Sequence, residues 1–285
     1  MMLNRVKKSA GFTLIELLIS MLIGAFLVGG IATLFVSSNQ TYSSVEQLSR
    51  LQENGRFAMA VFDRYLSLAG FDNYYRADRP SGFSTPVRVV GCGGELCSSN
   101  GATSDQLSIE YDLPIDNPTA AWEFITCNGT TLNTGSPTRR VIETFSVDAN
   151  PADDSYVLRC RSFDAETENA LGGWADVVDG IRDFQFQLGL KPVAVGAAGA
   201  TGTPSVTTYA NAGQAAAVGD QDTLNERLLS VRIGMVVRAG NTTSNNMENE
   251  AVETDYQVLD GPAVSNDSGQ IHYIFTETFQ LNNAV

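Results

Sequence analysis

Three patterns of hydrophobic and polar positions succeed one another along the chain. From Phe12 to Val36 apolar residues run almost without a break, and one carboxylate, Glu16, sits inside the run. From Ser37 to Ala69 there is no proline and the only glycine is Gly55. Tyr42, Val45, Leu48 and Leu51 recur at three-residue steps. Phe57, Ala58, Val61, Tyr65, Leu66 and Leu68 continue the stripe between Gln47, Arg50, Glu53 and Arg64. That spacing is the signature of an amphipathic helix. The two patterns together predict one helix over Phe12–Ala69, apolar all round in its first half, one-faced in its second, and closed by Gly70 as a C-cap.

Beyond Gly70 the period changes to two. Leu107, Ile109 and Tyr111 alternate with polar neighbours, as do Phe184, Phe186 and Leu188, then Leu229 to Val237, then Ile271, Tyr273 and Phe275. These read as half-buried strands, antiparallel by expectation. Weaker candidates are Pro86–Val90, Trp122–Cys127, Arg140–Val147, Tyr156–Arg161 and Asp255–Leu259. Eight or nine strands behind one long helix make an α+β fold, with the helix packed on an antiparallel sheet. Val193–Ala217, rich in Ala, Gly and Thr, and Asn241–Asn249, rich in Asn, Thr and Ser, read as long surface loops.

The first apolar run spans 25 residues, roughly 37 Å of helix, enough to cross ~30 Å of hydrocarbon with some tilt. Arg5, Lys7 and Lys8 precede it and no acid does, which puts that end in the cytoplasm and everything after Val36 across the membrane. A charge inside such a run costs about 2.5–3.5 kcal/mol on insertion scales, so Glu16 reads as functional and requires a partner. Gly24, Gly29 and Gly30 each weaken the helix by about 1 kcal/mol relative to alanine. They suit close packing between membrane helices, or a segment that melts on entering a filament.

The 285 residues carry a formal net charge of −14, and without Met1–Gly11 the side chains sum to 15 − 32 = −17. Only Lys191 lies beyond that leader among lysines, so direct nucleic-acid binding is not expected. Cys92, Cys97, Cys127 and Cys160 all follow the apolar run, on the oxidising side. Four cysteines allow three connectivities; Cys92–Cys97 would close a glycine-rich loop and Cys127–Cys160 would link two predicted strands, and this pairing is favoured. The longer loop would stabilise by about 3–4 kcal/mol in the chain-entropy model. A zinc site is disfavoured because the paired C-x₂-C spacing is missing, and neither metal nor cofactor is expected.

Lys8-Ser9-Ala10-Gly11-Phe12-Thr13-Leu14-Ile15-Glu16-Leu17-Leu18 resembles the class III signal of type IV pilins and type II secretion pseudopilins. The resemblance implies a leader of residues 1–11 removed by prepilin peptidase after Gly11, N-methylation of Phe12, and an assembly role for Glu16. It implies a membrane-spanning helix over 12–36, its amphipathic continuation over 37–70, and an exported β-rich domain over 71–285. Glu16 would then pair with the methylated amine of a neighbouring subunit's Phe12, the reading preferred, or with its own amino terminus.

Leu51-Gln52-Glu53-Asn54-Gly55-Arg56-Phe57-Ala58 is similar to the stretch after the anchor in minor pilins of the PilW type, themselves related to the J-type minor pseudopilin. Val178–Phe184, Leu229–Arg238 and Tyr273–Asn282 match in the same order. That resemblance implies a non-enzymatic subunit of the inner membrane and then of the pilus. Its implied partners are other minor pilins, the major pilin, the inner-membrane assembly platform and a tip adhesin. The alternatives are a minor pseudopilin of type II secretion and an adhesive module working through the two long loops. His272, the only histidine, reads as structural; Trp122 and Trp174 read as core or interface; Asp148, Asn150, Asp153 and Asp154 read as a solvated turn in preference to a calcium loop.

Overall fold

The structure, a computed structural model, describes residues 11–72, 85–114, 121–136, 138–150, 155–192, 205–238, 255–263 and 272–283. It divides into two units, 1–47 and 48–285. Helix α1 runs from Leu14 to Leu68. It ends at Gly70, whose φ of +73° is open to glycine at little cost and whose N–H donates to the Glu110 carbonyl at 2.9 Å.

Within the second unit the strands are β1 (Gln106–Asp112), β2 (Glu123–Ile125), β3 (Thr131–Asn133), β4 (Arg140–Asn150), β5 (Ser155–Asp164), β6 (Ala175–Asp179), β7 (Ile181–Leu190), β8 (Thr208–Ala210), β9 (Leu228–Arg238) and β10 (His272–Gln280). Two short helices, α2 (Ala212–Ala216) and α3 (Gln221–Arg227), lie between β8 and β9. All pairings are antiparallel. The strands form two four-stranded sheets, β1-β4-β5-β6 and β10-β9-β7-β8, and a small hairpin, β2-β3.

Helix α1 packs on both sheets through one face, formed by Leu51, Gly55, Ala58, Met59, Phe62, Tyr65 and Leu66. Phe62 stacks on Phe184 of β7 at 5.1 Å and tilts against Phe145 of β4 at 5.1 Å, so one ring joins helix and both sheets. Gly55 is required for close approach: a Cβ there would meet the ring of Phe275 on β10.

The chain passes from one sheet to the other at Gly180, between β6 and β7. Its φ is +79°, its N–H donates to the Tyr156 carbonyl at 2.7 Å, and its carbonyl accepts from Arg238 N–H at 2.8 Å.

Several sequence expectations are corrected. Phe57 is 53% exposed, while Phe62, absent from the predicted stripe, is fully buried. The three-residue stepping drifted off the 3.6-residue turn, and Tyr42 and Val45 are likewise exposed. Pro86–Val90 is not a strand; it makes one bridge, Val87 with Ile109, and lies along β1. Asp255–Leu259 forms no named strand. It crosses the outer face of the second sheet, where Val258 is so close that Gly234 on β9 has no room for a Cβ.

The expected 193–217 loop contains β8 and α2 in its described part. Residues 193–204 and the expected 241–249 loop lie outside the described residues. Asp148 and Asn150 belong to β4, and Asp148 pairs with Arg159 across the ladder at 2.7 Å. Asp153 and Asp154 lie outside the described residues.

Candidate functional site

The start of α1 is built by a four-residue device. Thr13 donates its backbone N–H to Glu16 Oε2 at 3.0 Å and its hydroxyl to the same oxygen at 2.9 Å, and Glu16 N–H reaches Thr13 Oγ1 at 3.4 Å. Thr13 and Glu16 therefore form a reciprocal capping box that satisfies two of the free N–H groups at the helix end. The carboxylate also sits in the first turn, where the helix dipole favours negative charge. Glu16 Oε1 makes no hydrogen bond among the described residues and remains exposed.

Thr-x-x-Glu ahead of an apolar run is itself a capping signal in the sequence. Gly11 and Phe12 precede the helix outside any regular element, with Phe12 90% exposed.

The side chains that follow are apolar and face outward. Leu14, Leu22, Phe26 and Leu34 are all more than two-thirds exposed. No other Asp, Glu, Lys or Arg occurs between Phe12 and Val45. Gly24, Gly29 and Gly30 have open space where a Cβ would stand, and the helix is unbroken through them. This is the one helix among the described residues long and apolar enough to cross a membrane.

Comparison with known proteins places names on these features. A family model described as prokaryotic N-terminal methylation motif matches residues 6–32. A second, described as type IV pilus-assembly protein W, matches residues 144–283. These matches support a type IV pilus minor pilin of the PilW type. Among solved structures the chain is similar to the type IV-like pilin TTHA1219 from Thermus thermophilus, at 12% identity and a TM-score of 0.42, covering 83% of this chain and 99% of that one. No curated protein matches. A pilin is a structural, non-enzymatic protein that works in contact with other pilins, and the apolar helix with its methylation motif fits an inner-membrane anchor.

The second unit of the chain holds two disulfides. Cys92 joins Cys97 with Cα atoms 5.4 Å apart, and Cys127 joins Cys160 at 6.1 Å, tying the β2–β3 turn to β5. Beneath the second lies Glu143 of β4, fully buried and not singled out from the sequence. Tyr111 Oη donates to its Oε1 at 3.0 Å, Cys127 N–H donates to the same oxygen at 3.2 Å, and Ser162 Oγ lies 2.5 Å from Oε2. Burial pushes the Glu143 carboxyl up to about 7, against the opposing pull of those hydrogen bonds.

His272 is buried on β10, 5.1 Å from the Tyr256 ring and within reach of Arg182. Trp122 and Trp174 each lie under an arginine, Arg139 and Arg159, and Trp174 Nε1 donates to Glu95. Both placements are structural.

Proposed function

We propose that this chain is a minor pilin that primes assembly of a type IV pilus, joining other minor pilins and the major pilin in a complex at the filament tip. Prepilin peptidase cuts between Gly11 and Phe12 and the new amino terminus is methylated. Residues 12–36 hold the subunit in the inner membrane, 37–70 carry the helix onward, and 71–285 lie in the periplasm until the assembly platform moves the subunit into the pilus, with a tip adhesin as a further partner.

The observation that carries this reading is Glu16. It is the only charged side chain in an outward-facing apolar run, with one oxygen committed to Thr13 and the other without a hydrogen bond among the described residues. A methylammonium from a neighbouring Phe12 neutralises that second oxygen. In low dielectric the pair acts as a register device, because removing either partner strands the other. Glycines with open flanks supply surfaces on which anchor helices approach closely.

The test is Glu16→Ala, scored for surface pili with retraction blocked. The variant is processed and inserted but assembles poorly; normal piliation overturns the reading. Mass spectrometry of the mature chain tests the cut directly: it begins at Phe12, 14 Da heavier than the unmodified residue for one methyl group, and an intact initiator methionine overturns the assignment.

A further inference from the structure

An uncovered sheet edge is a template for another chain, and folded proteins blunt such edges by shortness, lysine, proline, bulges or a covering segment. Three of the four edges here are blunted. Beside β1 runs the 86–99 segment, with bridges Val87–Ile109 and Ser99–Gln106 and the bond from Arg88 N–H to Ser108 O at 3.1 Å. The opposite edge of that sheet, β6, has five residues, and β8 in the second sheet has three.

The fourth edge, β10, has nine residues and, among the described residues, no proline, lysine, bulge or covering segment; its one charge is Glu277. It pairs with β9 in unbroken register from His272–Arg238 to Gln280–Ser230. Among the described residues nothing pairs with its outer side. Its side chains are also unusually apolar for an edge: Tyr273 is 51% exposed and Ile274 39%, and the Tyr273 ring lies 4.9 Å from that of Phe275.

We propose that β10 is a docking edge that accepts an extended strand from a different pilin subunit, which becomes the fifth strand of the β10-β9-β7-β8 sheet. Main-chain hydrogen bonds supply the affinity, and alternate side chains supply the choice of partner. The incoming strand carries apolar residues beside Tyr273 and Phe275 and a lysine or arginine beside Glu277, the one carboxylate on β10. A second copy of this chain is disfavoured by charge, since each processed copy carries −17. That the partner is a pilin rests on the function proposed above; the open edge does not.

The full chain, expressed in piliating cells with retraction blocked, carries the photocrosslinker p-benzoylphenylalanine in place of Ile274, or in place of Asp176 on β6 as the control. Crosslinked peptides are mapped by mass spectrometry. A crosslink from position 274 into an extended segment of another pilin, reduced about tenfold by Glu277→Lys at unchanged melting temperature, supports the docking edge. A crosslink to a second copy overturns it, as does a yield at 274 no higher than at 176. If 274 stays at background while Glu16→Ala still abolishes pili, the edge fails and the assembly reading stands. If 274 captures a strand of a non-pilin protein, the assembly reading of the partner is what fails.

Discussion

Glu143 is the residue at which local chemistry departs most from expectation. It shares a face of β4 with Val141 and Phe145, and all three are fully buried. Ser162 has one hydroxyl proton and two acceptors in reach, Glu143 Oε2 at 2.5 Å and Asn128 Oδ1 at 3.1 Å. A protonated Glu143 resolves this: its own proton goes to Ser162 Oγ, and the serine donates to Asn128.

The sign of the pH effect follows. With the folded value near 7 and the ordinary value at 4.5, the folded state binds more protons than the unfolded state between those pH values. Stability therefore falls as pH rises through that window and levels off above it. Asp105, raised to about 7, and Asp183, raised to about 6, both chiefly by burial, act in the same direction. Glu143→Gln keeps the shape and removes one titration. Urea unfolding from pH 4.5 to 7 then shows a shallower decline than the parent chain, and an equal decline refutes the assignment.

At the other end of the chain, Thr13→Val removes the hydroxyl from the capping box. A lost cap is worth about 1 kcal/mol, so amide exchange over Ile15–Leu17 in micelles accelerates about fivefold, whereas Thr13→Ser leaves it unchanged.

Among the elements, the aromatic pair Phe57 and Phe62 separates helix packing from helix formation. Phe62→Ala opens a void where α1 meets both sheets, and such truncations lower stability by about 3–5 kcal/mol. Phe57→Ala, on the outward face, changes stability by no more than about 0.5 kcal/mol; chemical denaturation of the two variants distinguishes these outcomes. Gly180→Ala tests the passage between sheets. A Cβ there meets the Arg238 carbonyl 2.6 Å away, and the positive φ alone costs roughly 1–2 kcal/mol.

The sequence was most readable where an element is long and one-faced. The cores of β1, β4, β5, β7, β9 and β10 all lay within predicted strands because their alternation persists over several residues. Strands of three residues such as β3 and β8, or a five-residue helix such as α2, hold too few positions to express a period. The α2 capping box, Asn211 with Gln214, is the only local mark of that helix. Glu143 was hidden for a different reason: it falls on the Val141–Phe145 face, where a carboxylate interrupts the apolar alternation, and only the coordinates show Tyr111, Cys127 and Ser162 satisfying it there. Glu16 is conspicuous because nothing around it is charged, and Thr-x-x-Glu marks its bond to Thr13; the coordinates add which carboxylate oxygen is used.

On the scale of the whole molecule, large exposed apolar side chains are concentrated before residue 48. Beyond Leu48 the described exceptions are Phe57, Ile125, Tyr273 and Ile274. Apolar surface of the first kind requires lipid or other helices, whereas Phe57 and Ile125 are isolated groups on an acidic domain and Tyr273 and Ile274 belong to the β10 edge. A fragment beginning at Leu48 retains the buried helical face from Leu51 to Leu66, both sheets and both disulfides. It is therefore expected to be soluble without detergent, to sediment as a monomer, and to unfold in one cooperative step.

The two disulfides then contribute unequally. Cys92–Cys97 closes a separation of 5 residues and Cys127–Cys160 one of 33. In the chain-entropy model the short loop is worth about 2 kcal/mol and the long one about 4. Replacing each pair by serine in this fragment and comparing urea midpoints orders them. The Cys127–Cys160 variant loses more, because its crosslink restricts a larger part of the unfolded chain. An equal loss for both pairs would mean that the unfolded fragment retains enough structure to hold the ends of the long loop together without the bond.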